Sequence, residues 1–245
     1  MDKYNYYFHS IKMMEMKVKI LEFVEGAKRA QGVTVIIDVF RAFSVGCYAF
    51  DSGAVGIIAT AGVDDAFQLR SRYSNPVLVG ERDEKKIPGF DFGNSPTEII
   101  QADLHGKTVI LTTTAGTQGL INATRADLIL TGSFVNAGAI VKFIQALNPP
   151  LVTLVAMGYR ATISAEEDLL CADYIKDGLL GRKTVSEQKI AALMNTSGKR
   201  FFNPDNINFS PPSDFFLCTM KDRFKFVLRA KARTDGNVAL IKTEV

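Results

Sequence analysis

The chain has 245 residues, a length typical of one large domain or two small ones. Hydrophobic residues make up 47% and charged residues 22%, so the apolar side chains suffice for a folded core. Lysine and arginine number 29 against 26 acidic residues and are not clustered, which argues against nucleic-acid binding. No apolar run approaches the roughly 18–20 residues of a membrane span, and the N-terminus lacks a signal-peptide pattern, so we expect a cytoplasmic protein without membrane contact.

Cysteine and histidine are scarce, which narrows the available chemistry. The cysteines, Cys47, Cys171 and Cys218, lack CxxC spacing and are expected to be reduced and buried. His105 lies in a polar turn and His9 near the N-terminus, which leaves no histidine set for a Ser/His/Asp triad or a zinc site. Any catalysis is therefore expected to use carboxylates, hydroxyls and arginines, with or without a metal ion.

Strand and helix patterns alternate along most of the chain. Residues 1–15 show no periodicity and are expected to form a loosely ordered extension, followed by a single domain over 16–245. Strands are predicted at 18–23, 34–39, 54–60, 76–81, 108–114, 126–132 and 151–158, with helices between them and a helix over 164–181. A long polar loop spans 82–96. This alternation predicts an α/β fold of three α/β/α layers around a largely parallel or mixed sheet.

The C-terminal part has a weaker pattern. A helix is predicted over 186–197, a loop over 201–214, and a strand pair or extended cover over 214–231. We expect residues 182–245 to cover the sheet or to close a crevice, with 234–245 as a last strand or a tail.

The sequence also contains an internal repeat pattern. TVIIDVFRAFSVG begins at Thr34 and TVILTTTAGTQG at Thr108, a shift of 74, and AVGIIAT matches ADLILTG with a shift of 72. This pattern predicts two copies of a β-α-β-α-β unit, at about 34–90 and 108–160. Since ligands of parallel sheets bind beyond the carboxyl ends of strands, we expect the strand ends at Asp38, Glu81, Thr112–Thr114 and Gly158 to face one crevice.

Asp38 and Arg41 are the first candidate site residues. Asp38 ends an apolar strand, where a carboxylate suits metal binding or general-base work, and the Arg41 fork suits a bidentate phosphate, sulfonate or carboxylate. An ordinary Asp–Arg pair that fixes the turn is the alternative. Ser44 is a third candidate, or an ordinary helix residue.

The segment from Gly80 to Pro96 is the richest in polar and glycine residues. Glu81 and Arg82 lie at a strand end, and Asn94 and Ser95 precede a predicted helix, where backbone and side-chain donors can bind an anion. The alternative is a solvated loop in which Ser95 is a helix N-cap. Residues 83–86 are expected to form its solvated rim.

Two further segments carry hydroxyls and acids. In TTTAGTQG, Thr113, Thr114, Gly116 and Thr117 form a phosphate cradle by residue type, or simply a helix cap. Near 166–168, Asp168 is the candidate to complete a Mg²⁺ site with Asp38 and Glu81, since Mg²⁺ takes one or two carboxylates with phosphate oxygens and water. The alternative is that these acids only complement the helix dipole.

These blocks together resemble the 2-phosphosulfolactate phosphatase family, the ComB-like proteins. The matching blocks are TVIIDVFRAFS, GERDEKKIPGFDFGNSP, KTVILTTTAGT, ADLILTGSFVNA and EEDLLCAD, in this order. The resemblance implies Mg²⁺-dependent hydrolysis of 2-phosphosulfolactate to sulfolactate and phosphate, a step toward coenzyme M. The chain departs from the family at three places, with Phe43 for Thr, Asp83-Glu84 for Gly-Gly and Ala115 for Asn.

The resulting hypothesis is a Mg²⁺-dependent phosphatase for a small anionic phosphomonoester. Asp38, Glu81 and Asp168 are the candidates for metal ligation, water activation or nucleophilic attack by Asp38, and the sequence does not separate these roles. Arg41 and Arg82 would neutralise anionic groups. The alternatives are a phosphatase for another small phospho-acid, which the three departures permit, and a non-catalytic sensor of an anionic metabolite. A homodimer is compatible with the apolar faces of such a fold, but the sequence does not fix the oligomeric state.

Overall fold

A computed structural model describes residues 16–183 and 185–245, so the extension predicted at residues 1–15 lies outside the described residues. The described residues form ten strands and nine α-helices. The strands are β1 (Lys17–Glu22), β2 (Val33–Ile37), β3 (Gly56–Ala59), β4 (Pro76–Arg82), β5 (Lys85–Lys86), β6 (Thr108–Thr112), β7 (Leu128–Gly132), β8 (Leu151–Ala156), β9 (Phe226–Ala232) and β10 (Val238–Glu244). The helices are α1 (Phe23–Arg29), α2 (Ala42–Asp51), α3 (Val63–Arg70), α4 (Pro96–Ile99), α5 (Gly116–Asn122), α6 (Ala137–Leu147), α7 (Glu166–Leu179), α8 (Glu187–Ala192) and α9 (Pro212–Thr219).

The predicted α/β class is confirmed, because one mixed sheet is covered by helices on both faces. Successive side chains of a strand point to opposite faces, and β2 shows this division. Val35 and Ile37 join an apolar cluster with residues of α6 and α7, whereas Ile36 joins a second cluster with residues of α1, α2 and α5. A strand buried on both faces explains the continuous apolar run of β2.

The strand order is β1-β8-β2-β7-β9-β10-β3-β6-β4-β5. β1, β8, β2 and β7 pair in parallel and form a first parallel group, while β3, β6 and β4 form a second. The hairpin of β9 and β10 lies between them with antiparallel pairings on all sides. These three antiparallel pairings make the two parallel groups run in opposite directions.

The strands of the two predicted repeats interleave in this order. β2, the first strand of the first repeat, lies between β8 and β7 of the second repeat, and β6 lies between β3 and β4 of the first. Each predicted repeat thus contributes strands to both parallel groups in equivalent positions. The duplication itself stays a prediction.

The C-terminal segment differs in part from its predicted form. The sequence DFFLCT belongs to helix α9 rather than to a strand, and β9 and β10 are central strands of the sheet rather than a cover. Residues before α9 do lie over the end of β2, where Arg200 donates to the carbonyl of Phe40. The three cysteines are free and buried and His105 is exposed, as predicted. Within the described ranges, no helix is both long and apolar enough to cross a membrane.

Candidate active site

One pocket brings together residues from the carboxyl ends of four strands, two from each parallel group. Asp38 follows β2, Glu81 lies near the end of β4, Thr114 follows β6 and Gly158 follows β8. The complete lining consists of Asp38, Phe40, Arg41, Glu81, Asp83, Glu84, Asn94, Thr114, Ala115, Gly158, Tyr159, Arg160 and Arg200. Both parallel groups contribute to it. Each of the four strand ends that the sequence predicted at one crevice supplies a residue of the lining.

Asp38 is held at the pocket by the backbone of two helix starts. Its Oδ1 accepts a hydrogen bond from the N–H of Ala42 at 3.0 Å, and the N–H of Gly116 also donates to the carboxylate. Burial raises the pKa of Asp38 to about 6; the two backbone donors oppose this rise, whereas the Glu81 and Glu167 carboxylates add to it. A side chain on Gly116 would lie 2.8 Å from Oδ2 of Asp38, so glycine is required there for the close approach.

Glu81 is fixed by donors from two neighbouring loops. Its Oε1 accepts from the N–H of Thr114 at 2.7 Å, and its Oε2 accepts from the Thr114 hydroxyl at 3.2 Å and the N–H of Glu84 at 3.0 Å. Thr114, predicted as an anion donor, therefore orients the Glu81 carboxylate and also lines the pocket. These three hydrogen bonds hold the carboxylate in one position.

Arg41 lines the pocket as a buried cation with a buried partner. Its Nη1 donates to Asp214 Oδ2 at 2.6 Å and to the carbonyl of Phe209 at 2.6 Å, and its Nη2 donates to the carbonyl of Glu84 at 3.2 Å. Asp214 is fully buried and comes from α9. Sequence reasoning missed it, because nothing in the local pattern of PPSDFF links it to a residue 173 positions away.

Asp168 lies behind the pocket and does not line it. Its Oδ1 accepts from the N–H of Val39 at 2.8 Å, and its Oδ2 accepts from the N–H of Gly158 at 2.8 Å. Burial, followed by the charges of Glu167 and Asp38, raises the pKa of Asp168 well above its usual range. These two hydrogen bonds link the end of β2 to the end of β8 through Asp168. The role of Asp168 as a metal ligand stays a prediction.

Ser44 and Ser95 occupy structural positions outside the pocket lining. The Ser44 hydroxyl lies 2.8 Å from the carbonyl of Val39 and 2.6 Å from the hydroxyl of Ser133. Ser95 caps helix α4, as the alternative interpretation proposed, and its hydroxyl donates to Asp214 at 2.8 Å. Asn94, the residue before this cap, does line the pocket.

The remaining predicted residues support the loop after β6 and the end of β4. Thr113 and Thr117 exchange hydrogen bonds between each hydroxyl and the other's N–H, at 3.2 and 3.3 Å, which fixes the loop that leads into α5. Arg82 donates to the carbonyl of Glu81 and to the Thr112 hydroxyl, and it does not line the pocket. Among the family departures, Ala115, Asp83 and Glu84 line the pocket, whereas Phe43 is buried in the core.

The expectation of a solvated rim at residues 83–86 is wrong for Glu84. Its side chain is only 18% exposed and lies 3.3 Å from the guanidinium of Arg200, while Asp83 forms an ion pair with Arg160. Sequence reasoning missed Arg160 and Arg200, since both follow or lie within segments without a recognisable motif. Asp83 and Glu84 have φ of +50° and +68°, the left-handed region in which glycine is favoured.

The pocket offers oxygen donors of the kind that Mg²⁺ prefers. The carboxylates of Asp38 and Glu81 line it, and Oδ1 of Asn94 is buried without a hydrogen-bond partner among the described residues. The charge of Glu81 adds to the raised pKa of Asp38, and a bound cation would offset this repulsion. No cluster of three or more His, Cys, Asp or Glu side chains suited to a metal occurs in residues 16–183 and 185–245. The oxygen donors that the pocket itself offers are two carboxylates and the amide oxygen of Asn94.

Comparisons with known proteins identify similar proteins. The family model described as 2-phosphosulpholactate phosphatase matches residues 19–231. A protein of Carboxydothermus hydrogenoformans is 37% identical over 171 residues, covering 69% of this chain and 70% of its own length. A Bacillus subtilis protein is 31% identical over 214 residues, covering 86% of this chain and 91% of its own length. Both relatives carry the name "Probable 2-phosphosulfolactate phosphatase".

Proposed function

Because the chain belongs to the 2-phosphosulfolactate phosphatase family and is thereby a phosphoric monoester hydrolase, we propose that it hydrolyses a small phosphorylated acid, 2-phosphosulfolactate first among them, with Mg²⁺ as cofactor. The observation that carries this proposal is the shared pocket of Asp38, Glu81 and Arg41 at the strand ends. Carboxylates beside a buried arginine suit a phosphate ester that arrives with a divalent cation.

In this proposal Asp38, Glu81 and Asn94 hold the metal. Mg²⁺, when bound, supplies charge that stabilises the phosphate oxygens and orients the attacking water. Thr114 keeps the Glu81 carboxylate in place through two hydrogen bonds. Asp168, with both oxygens on backbone N–H groups, acts as a positioning residue that sets the distance between Asp38 and Gly158.

Arg41 would bind the phosphoryl oxygens that face away from the carboxylates. Its charge is balanced by Asp214, so the guanidinium is fixed before the substrate arrives and loses little conformational entropy on binding. The burial of both partners makes the Arg41 position depend on Asp214 rather than on solvent. A fixed donor fork next to a metal site is an arrangement suited to phosphoryl transfer.

The experiment measures inorganic phosphate release from 2-phosphosulfolactate, phospholactate, phosphoglycerates and p-nitrophenyl phosphate, each with Mg²⁺ and with EDTA. We expect Mg²⁺-dependent release that is fastest with 2-phosphosulfolactate and is lost in Asp38→Asn. In parallel, Mg²⁺ is expected to raise the melting temperature of the wild type but not of Asp38→Asn. Folded protein that releases no phosphate from any of these esters would contradict the proposal and favour a sensor.

A phosphatase for another small phospho-acid is the second candidate. Ala115, Asp83 and Glu84 all line the pocket where the family pattern has other residues, and the two acids add negative charge near the proposed anion site. Faster Mg²⁺-dependent release from phospholactate or a phosphoglycerate would select this candidate. The same panel therefore separates the two.

A further inference from the structure

We propose that Arg160 and Arg200 form a second anion subsite, for the carboxylate or sulfonate of the substrate, and that Asp83 and Glu84 occupy it as internal carboxylates in the substrate-free protein. This inference rests on the proposed function, because it assigns the organic acid group of the same substrate. Both arginines line the pocket, and each pairs with one of the two acids.

Arg200 is held by aromatic rings as a preformed anion receptor. Its guanidinium carbon lies 5.8, 5.4 and 5.1 Å from the ring centres of Phe40, Tyr159 and Phe201. Nη2 donates to the carbonyl of Phe40 at 3.2 Å, which fixes the plane of the fork. Stacked arginines of this kind suit planar or bidentate anion recognition.

The donors of Arg200 are not saturated by Glu84. The single contact between Nη1 and Oε1 is 3.3 Å long, against the roughly 2.7–2.9 Å of a strong charge-assisted hydrogen bond. Nε of Arg200 is buried and has no partner among the described residues. A buried donor without a partner is costly, so an anion that reaches Nε and Nη1 together would bind more favourably than Glu84 does.

An anion that binds to Arg160 and Arg200 has to displace these acids. Each acid occupies a donor of one of the two arginines, and all four residues line the same pocket. Asp83 is 71% exposed and bound through one surface ion pair, and such pairs contribute little, so it can swing out at small cost.

Arg41 is assigned to the phosphate and has too few remaining donors for a second anion. Its Nη1 already donates to Asp214 and to the carbonyl of Phe209, and its Nη2 donates to the carbonyl of Glu84. This leaves Nε and the second N–H of Nη2 for the phosphoryl oxygens. The backbone of Glu84 therefore contacts the phosphate-side arginine while its side chain contacts Arg200. Glu84 thus separates the two arginines, as expected if the phosphate and the acid group of one substrate bind on either side of it.

A binding experiment that needs no turnover tests the subsite. The probe is sulfoacetate, which carries a sulfonate and a carboxylate but no phosphate, titrated by calorimetry into the wild type, Glu84→Gln, Arg200→Gln and the double variant, all with EDTA. Gln at position 84 keeps the size of Glu and can still bond to Ser210. Glu187→Gln, at an exposed acid paired with Lys221, is the matched control for the loss of one charge.

We expect Glu84→Gln to lower the Kd of sulfoacetate by about tenfold, since it removes a like charge within a few ångströms of the anion. Arg200→Gln should raise the Kd, and in the double variant the gain from Glu84→Gln should disappear. Glu187→Gln should bind as the wild type does. An unchanged or higher Kd in Glu84→Gln, or a gain that survives Arg200→Gln, would overturn the proposal.

A kinetic measurement keeps this inference separate from the proposed function. If phosphatase activity is found, Glu84→Gln should lower the KM for acid-bearing phosphomonoesters about tenfold more than the KM for p-nitrophenyl phosphate, which has no such group. An equal change for both esters would overturn the subsite. Absence of all turnover would contradict the phosphatase proposal alone, because the calorimetric result does not depend on hydrolysis.

Discussion

The protonation of Asp38 should make the stability of the metal-free protein depend on pH. Burial raises the pKa of Asp38 from its ordinary value of 3.8 to about 6. The native state therefore keeps a proton that the unfolded chain has already lost, so the contribution of Asp38 to the unfolding free energy falls as pH rises from about 4 to about 6 and is level above that. The gap between the two pKa values corresponds to about 3 kcal/mol of unfolding free energy.

The substitution Asp38→Asn removes this titration. Asn offers one acceptor oxygen to the two N–H groups of Ala42 and Gly116, so a pH-independent loss of about 1–3 kcal/mol is expected. The difference in unfolding free energy, Asn variant minus wild type, should therefore start negative near pH 4 and rise by about 3 kcal/mol by pH 7. The rise of this difference with pH, rather than its value at pH 4, reports the raised pKa of Asp38.

Urea unfolding followed by circular dichroism at pH 4 to 7, with EDTA present, measures this difference. The chain has no tryptophan, so intrinsic tryptophan fluorescence is not an option. Asp64→Asn, which removes an exposed carboxylate at the start of α3, controls for the change of net charge. A difference that stays constant across this pH range would refute the reasoning, since the Asp38 carboxylate would then ionise at no cost in the native state.

Three further substitutions probe the support of the site. Asp214→Ala should destabilise the protein by about 3–5 kcal/mol and lower phosphate release, because it leaves Arg41 buried without its counter-charge. Gly119→Ala should cost about 1–3 kcal/mol in urea unfolding, because its Cβ would lie 2.4 Å from Sδ of Met157. Asp168→Asn should cost about 1–3 kcal/mol through one unsatisfied backbone N–H, yet keep the rise in melting temperature that Mg²⁺ produces.

Each of these has an outcome that contradicts it. Gly56→Ala, where a Cβ meets nothing within 4 Å, should be much milder than Gly119→Ala, and equal effects would disprove the steric argument. Loss of the Mg²⁺ effect in a folded Asp168→Asn would show that Asp168 is a metal ligand rather than a positioning residue. Wild-type stability in Asp214→Ala would mean that Arg41 finds another anion.

The sequence by itself determined the alternating strands and helices as far as α7 and five of the residues that line the pocket. The apolar run before Asp38 and the run before Glu81 are strands because β-branched and apolar residues follow one another without a helical period. The α/β alternation then requires helices on both faces and a ligand site at carboxyl ends. Asp38, Arg41, Glu81, Asn94 and Thr114 were found this way, and all of them line the pocket.

Only the tertiary structure decided which side chains complete the pocket and which merely support it. Asp214 and Arg200 reach the site from 173 and 160 residues away along the chain, through contacts with Arg41 and Phe40 that no local pattern encodes. Asp168 is an acidic residue like Asp38, but its two carboxylate oxygens accept hydrogen bonds from backbone N–H groups and it does not line the pocket. The physical reason is that local sequence sets the backbone conformation, whereas the partner of a buried charge depends on which distant segments pack beside it. In this protein those segments pack around a sheet whose two parallel groups run in opposite directions.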